Sequence, residues 1–216
     1  MTALAAPLAK RPRGRPRKTL DERDEGNRRL QLVRAAARLF RRKGFDGAST
    51  RDIAAAVGMH SGSPFYHFES KGALLYAVLE QGMQAAMARQ QQALAAGGDA
   101  PALLRRLIRN HFETLHGPGA DFIPVMLYEN RSLDARQRAG IALLQREYEA
   151  PWLPVLQALA DSGRLRAEVH LARLFIFGAL NWSVQWFDRK KRATLDEVTD
   201  EAMALFLPAR RKGVSE

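Results

Sequence analysis

Apolar residues recur at helical spacing along most of the chain, and no stretch shows the period-two alternation of a half-buried strand. In RRLQLVRAAARLFRRKGF, Leu30, Val33, Ala37 and Phe40 share one face, and Gly44 stops the helix. Ser49 and Asp52 resemble a capping pair for a short helix, TRDIAAAV, which ends at Gly58. MHSGSPFYHF predicts a second short helix. Ser70 caps a third that carries Leu74, Leu75, Val78, Leu79 and Met83 as far as AAGGD. Asp99 and Pro101 open the next, with Leu104, Ile108 and Leu115, and HGPGA closes it. A short helix holds Phe122 to Leu127. A long one runs from Asp134 to Asp161, kinked by Pro151 and Pro154. Another spans about Ala167 to Asp188. Thr194 and Glu197 form a capping box for the last, which stops before Pro208. The expected fold is all-α, with about nine helices and no internal repeat.

Charge divides this helical chain in two. Residues 1–71 hold 16 Lys and Arg against 7 Asp and Glu, whereas residues 72–216 hold 18 against 16. A basic first third joined to a nearly neutral remainder points to a polyanionic partner for the former and a different task for the latter. The parts expected are a disordered basic arm over 1–24, a helix-turn-helix domain over 25–71, a ligand-binding and dimerisation domain over 72–208, and a basic tail over 209–216.

With 216 residues the chain is long enough to bury its own core. It has no cysteine, which excludes a disulfide framework, a zinc ribbon and a thiol nucleophile. His60, His67, His111 and His116 do not assemble a metal-ligand set, so no metal and no cofactor is expected. MTALAAPLAK lacks a basic region followed by an apolar run, and no apolar stretch is of bilayer length. A cytoplasmic protein without a membrane partner is expected.

The two short helices around VGMHS have the spacing of a helix-turn-helix, whose second helix enters the major groove. Ser61, Gly62, Ser63, Tyr66 and His67 are small or hydrogen-bonding, as close approach to base edges and phosphates requires. An ordinary helical corner has the same local pattern, and the surrounding basic bias favours DNA.

The string AARLFRRKGFDGASTRDIAAAVGMHSGSPFYHFESKGALLYAVL resembles the N-terminal domain of TetR-type transcriptional regulators. Phe40, Gly44, Phe45, Ser49, Ile53, Ala54, Gly58, Gly62, Ser63, His67, Phe68, Ser70, Lys71 and Leu74 fit that pattern in register. The resemblance implies that Ser61, Gly62 and Tyr66 lie against base edges. It also implies that Ser63, His67, Lys71 and Ser49 or Thr50 hold phosphates. Two residues depart from it. Phe65 replaces the usual tyrosine and loses a phosphate-bonding hydroxyl, and Pro64 replaces an apolar helix former.

Ahead of this domain, KRPRGRPRK carries six cations in nine residues. Arg13-Gly14-Arg15-Pro16 is the core of a minor-groove hook, in which glycine lets the backbone lie deep in the groove beside Arg13 and Arg15. A solvated arm that only adds salt-sensitive phosphate affinity is the plainer reading.

In the second half, Leu171, Phe175, Gly178, Trp182 and Gln185 form one stripe of LARLFIFGALNWSVQWF. The TetR resemblance implies that residues 167–188 and 195–207 pair with their copies in a homodimer as a four-helix bundle. Phe175, Gly178, Trp182 and Leu205 are the expected interface residues. It also implies a pocket for a small apolar effector, for which Phe112, Phe122, Met126, Tyr148 and Trp152 are the lining candidates. GALNWSVQWF followed by TLDEV is similar to regulators of fatty-acid or steroid catabolism, some of which sense acyl-CoA thioesters; Arg105, Arg106 and Arg109 are candidates for a CoA phosphate.

The expected function is that of a sequence-specific repressor, released from a palindromic double-stranded DNA operator by a small apolar ligand of fatty-acyl or acyl-CoA type. A small all-α enzyme is disfavoured, because no nucleophile–base pair or glycine-rich phosphate loop is present. A non-specific architectural DNA coat is disfavoured by the complete helix-turn-helix register.

Overall fold

The computed structural model describes residues 20–60, 64–118, 120–188 and 193–207, and all regular structure among them is helical. In chain order the helices are α1 (Leu20–Gly47), α2 (Thr50–Ala55), α3 (Pro64–His67), α4 (Lys71–Ala95) and α5 (Ala100–His116). Then come α6 (Phe122–Glu129), α7 (Ala135–Glu149), α8 (Trp152–Asp161), α9 (Val169–Trp182) and α10 (Leu195–Phe206). Single 3-10 turns follow α6 and α9.

Local chemistry explains the boundaries. Ser49 and Asp52, Asp134 and Gln137, and Thr194 and Glu197 form reciprocal capping boxes at α2, α7 and α10. Ser70 and Asp99 accept the first free amides of α4 and α5. Gly44 breaks α1 by adopting φ 72°, a conformation that glycine reaches without a Cβ clash.

Two expectations are corrected. The helix expected from Asp134 to Asp161 is two helices, α7 and α8, because Pro151 has no amide hydrogen to continue the ladder. That gives ten helices among the described residues, in keeping with the expected all-α fold of about nine. Helix α1 begins at Leu20, inside the stretch 1–24 expected as an arm: the proline-free LDERDE is rich in helix formers and extends the helix backward. Residues 1–19 and 208–216, including the rest of the arm and the tail over 209–216, lie outside the described residues.

Helix α1 packs on α4 and α6, α4 on α5 and α7, α5 on α8 and α10, and α8 on α9. One core runs through both halves, from Leu32, Phe40 and Ile53 to Leu107, Trp152 and Ile176. Helix α4 is the shared wall. It buries Leu74, Leu75, Val78 and Leu79 and packs on α1, α5, α6 and α7.

A polar chain crosses the second half of this core. His111 Nδ1 lies 3.0 Å from the Tyr148 hydroxyl, and its Nε2 lies 3.1 Å from Asn181 Oδ1. Gln90 donates to the Tyr148 carbonyl at 2.8 Å and accepts from Trp152 Nε1 at 2.9 Å. The Trp152 and Phe177 rings, 4.6 Å apart, close over the imidazole. Burial is the largest cause that pushes the His111 pKa down, to about 4, with nearby His116 adding to it and the Asn181 bond opposing it.

His111 is therefore neutral in the fold, while the unfolded chain takes up a proton near pH 6.5. Stability from this group is complete above that pH and is lost as pH falls toward 4. At ~1.4 kcal/mol per pH unit, the loss amounts to ~3 kcal/mol. Urea midpoints compared between pH 7 and pH 4.5 should fall more steeply for the wild type than for His111→Gln, which cannot take the proton.

Candidate nucleic-acid interface and the domain that carries it

Helices α2 and α3 meet through a turn closed by Met59 N–H donating to the Ala54 carbonyl at 2.9 Å, with Gly58 at φ 69°. The apolar faces of this unit, Ile53, Ala54 and Phe68, are buried. Pro64 stands at the start of the described part of α3, where a missing amide hydrogen costs no helical bond. Tyr66 is 80 % exposed, its ring edge-on to His67 at 5.5 Å. His67 is half-buried. Lys71 Nζ lies 4.3 Å over the Phe45 ring, and the Arg29 guanidinium lies 4.8 Å over Phe68. These two cations hold both sides of the unit.

The remaining interface candidates divide as follows. Ser49 is exposed, but its hydroxyl accepts from the Asp52 amide at 3.0 Å and is occupied as a cap. Thr50 is half-buried in the first turn of α2. Ser61, Gly62, Ser63, Arg13 and Arg15 lie outside the described residues.

The five pocket candidates do not share one cavity. Tyr148 and Trp152 pack in the closed aromatic core with His111, Phe112 is buried beside His116, and Met126 is buried on α6. Phe122 borders an open cleft of about 230 Å³ between α1, α4 and α6, with Val33, Ala37, Val78, Gly82 and Ala85. Exposed Arg34 and Arg89 also line it. The arginines expected to meet a phosphate are committed elsewhere. Arg105 pairs with Asp200 at 2.7 Å, and Arg109 with Asp196 at 3.0 Å and Glu113 at 2.8 Å. Arg106 donates to the Gly97 carbonyl. Arg105 and Arg109 thus fasten α10 to α5.

The four interface candidates of the last two helices all point outward. Phe175 is 72 %, Trp182 66 % and Leu205 79 % exposed, and nothing lies within 4 Å of a Cβ placed on Gly178. Leu171, Leu174 and Trp186 extend the same apolar face.

Residues 32–78 match the family model for bacterial regulatory proteins of the tetR family, and residues 97–209 match the tetracyclin repressor-like C-terminal domain. The chain belongs to the TetR family. The HTH-type transcriptional repressor KstR2 of Rhodococcus jostii (strain RHA1) is 28% identical over 192 residues, which span 87% of this chain and 93% of the repressor. Among solved structures, AibR in complex with isovaleryl coenzyme A and operator DNA superposes with a TM-score of 0.77 at 22% identity, over 84% of this chain and 98% of AibR. The superantigen PfiT superposes with a TM-score of 0.73 at 36% identity, over 84% of this chain and 96% of PfiT.

This TetR-family chain is thus an all-α DNA-binding regulator. Among the described residues no group of side chains is arranged to hold a metal ion, and no helix is long and apolar enough to cross a membrane. Sequence reasoning missed Arg29, Arg41 and Glu129, and it placed Phe45 in the family pattern without its roles toward Lys71 and Glu129. Arg41 and Glu129 act through partners about 80 positions away, for which spacing carries no signal.

Tyr66→Ala should weaken specific binding by ~1–3 kcal/mol while leaving random-sequence DNA nearly unaffected. Lys71→Ala should weaken both alike and flatten the salt slope by about one unit. Fluorescence anisotropy on operator and scrambled duplexes at several salt concentrations separates the two; equal losses on both duplexes for Tyr66→Ala would remove it from base reading.

Proposed function

We propose that the chain is a cytoplasmic homodimeric repressor that binds a near-palindromic operator and is released by a small, largely apolar effector. The observation that carries the dimer is the exposed stripe of Phe175, Gly178 and Trp182 on α9, with Leu205 on α10 beside it. Large aromatics are rarely left in water as a contiguous face, and a second copy of the same face would cover them by two-fold symmetry. Two recognition helices held by such a dimer reach successive major grooves when they are about 34–36 Å apart. The repressor name of the sequence relative from Rhodococcus supports the direction of control. The effector acts by favouring a dimer of different spacing, and its effect equals its differential affinity for the two states, typically ~1–3 kcal/mol.

The buried titratable groups His111 and Tyr148 are engaged in structural bonds, His111 with Tyr148 and Asn181, which supports a regulatory rather than a catalytic reading. The basic arm adds to DNA binding in this reading. Arg13-Gly14-Arg15-Pro16 has minor-groove chemistry, and a chain of ~3.3–3.6 Å per residue ahead of Leu20 reaches a neighbouring groove.

Trp182→Glu combined with Phe175→Glu should give a monomer by sedimentation and lower operator affinity by at least a hundredfold. A dimer that survives both substitutions places the interface elsewhere, and a footprint without a dyad speaks against two-fold binding.

Deleting residues 1–18 should lower affinity and erase any preference for A·T-rich flanks. The measurement compares full-length and shortened protein on operators with A·T-rich and G·C-rich flanks. Identical ranking by both proteins reduces the arm to a screened cationic tether.

A further inference from the structure

We infer that the larger domain itself touches DNA: Arg131, in the 3-10 turn after α6, and Arg136, in the first turn of α7, form a second phosphate-binding edge that continues from Lys71. This rests on the reading of α2 and α3 as the DNA-binding unit, and it extends the contact to phosphates beyond those that unit meets alone.

The fold brings both arginines to the start of α4. The 3-10 turn Asn130–Ser132 directly follows Glu129, whose carboxylate accepts from the Phe45 amide at 2.9 Å. Phe45 lies just before Ser49, the cap of α2, and its ring sits under Lys71 Nζ at 4.3 Å. Arg131 is therefore adjacent in sequence to a bond that ties α6 to the end of α1. Helix α7 packs along α4, and Gln137 Oε1 comes within 3.8 Å of a Cβ placed on Gly72, the residue after Lys71. One turn further along α4, Tyr76 packs against Gly140, where a Cβ would stand 2.9 Å from its hydroxyl. Burial pushes the Tyr76 pKa up and Glu80 adds to this, while Arg136 opposes them as a nearby cation does. The start of α4 thus touches the end of α1 through Lys71 and the start of α7 through Gly72.

Both side chains are available to a ligand. Elsewhere in the larger half arginines are engaged within the fold: Arg105 and Arg109 hold α10, and Arg173 pairs with Glu149. Arg131 and Arg136 are exposed and belong to no ion pair among the described residues. The carboxylates beside them are occupied. Glu129 accepts from the Phe45 amide and the Ser132 hydroxyl, Asp134 from the Gln137 amide at 2.7 Å, and Glu80 from the Tyr76 hydroxyl at 3.4 Å.

Chemistry and proximity select the ligand. A guanidinium stays charged and presents a planar fork that matches phosphate oxygens. Once α2 and α3 are on a duplex, its neighbouring phosphates stand before this edge at high effective concentration. An acidic protein would have to compete with that duplex for the same two side chains. Phosphates are alike at every base pair, so the edge adds affinity and fixes orientation without reading sequence.

The test is fluorescence anisotropy of the full-length protein over a range of salt concentrations. The probes are the duplex that a footprint finds in the DNA flanking its own gene and a scrambled duplex. Arg131→Gln with Arg136→Gln should weaken binding to both tenfold or more and flatten the logarithmic salt slope by ~1.8, at ~0.9 per phosphate contact. Should that double variant not fold, Arg136→Gln alone, at an exposed helical position, should flatten the slope by ~0.9. Arg146→Gln removes the same charge from an exposed position on α7 about 15 Å further along the helix, and should leave the slope unchanged. A folded glutamine variant with the wild-type slope overturns the proposal and leaves the edge to an acidic protein or to solvent. Equal flattening by Arg146→Gln also overturns it, because the effect would then be one of net charge. Wild type that binds neither duplex removes the DNA-binding reading and this contact together; wild type that binds both while the variants match it removes the contact alone.

Discussion

A single backbone amide sets the relation between the two halves of this regulator. When Gly44 leaves helical geometry, the N–H of Phe45 loses its partner along α1 and would be left without an acceptor in a partly buried corner. Glu129, on the last turn of α6, supplies the acceptor, and the Ser132 hydroxyl donates to its other oxygen at 3.4 Å. Gly44 itself is needed for the approach, since a Cβ there would stand 3.2 Å from the carboxylate. The same Phe45 supports Lys71 with its ring and packs on Phe40 at 5.4 Å. The DNA-binding unit is therefore positioned by a residue of the other half.

What was legible in the sequence is what depends on near neighbours. Caps at Ser49, Ser70, Asp99, Asp134 and Thr194 are local oxygen-to-amide bonds, and a capping residue three positions before its amide can be read directly. The Gly44 break and the Gly58 turn follow from the conformational freedom of one residue. The effector region was less legible, because an aromatic side chain at a core-facing position reads the same whether it lines a cavity or fills one. Trp152 and Tyr148 fill; Phe122 lines. Arg105 and Arg109 were equally ambiguous, and only the folded chain brings Asp196 and Asp200 to them.

Membership of the TetR family does not by itself fix activity, and the resemblance to a protein named a superantigen makes the point. The functional argument rests on particular side chains. Tyr66 projects from a short helix flanked by the buried Pro64 and Phe68, and aromatics stand in water on α9. Neither feature helps a lone folded chain, and the proposed operator and second subunit would cover them.

The buried polar chain has a mechanical consequence. It joins α4 through Gln90, α5 through His111, α7 through Tyr148, α8 through Trp152 and α9 through Asn181. Turning any one of these helices by a fraction of a turn would strand a donor or acceptor out of reach of water. Five helices are in this way keyed to one another like the wards of a lock, whereas α6 makes none of these bonds and is tied to α1 instead. The keyed block includes α4, which also packs on α1, so its boundary does not coincide with the division between the DNA-binding and larger halves.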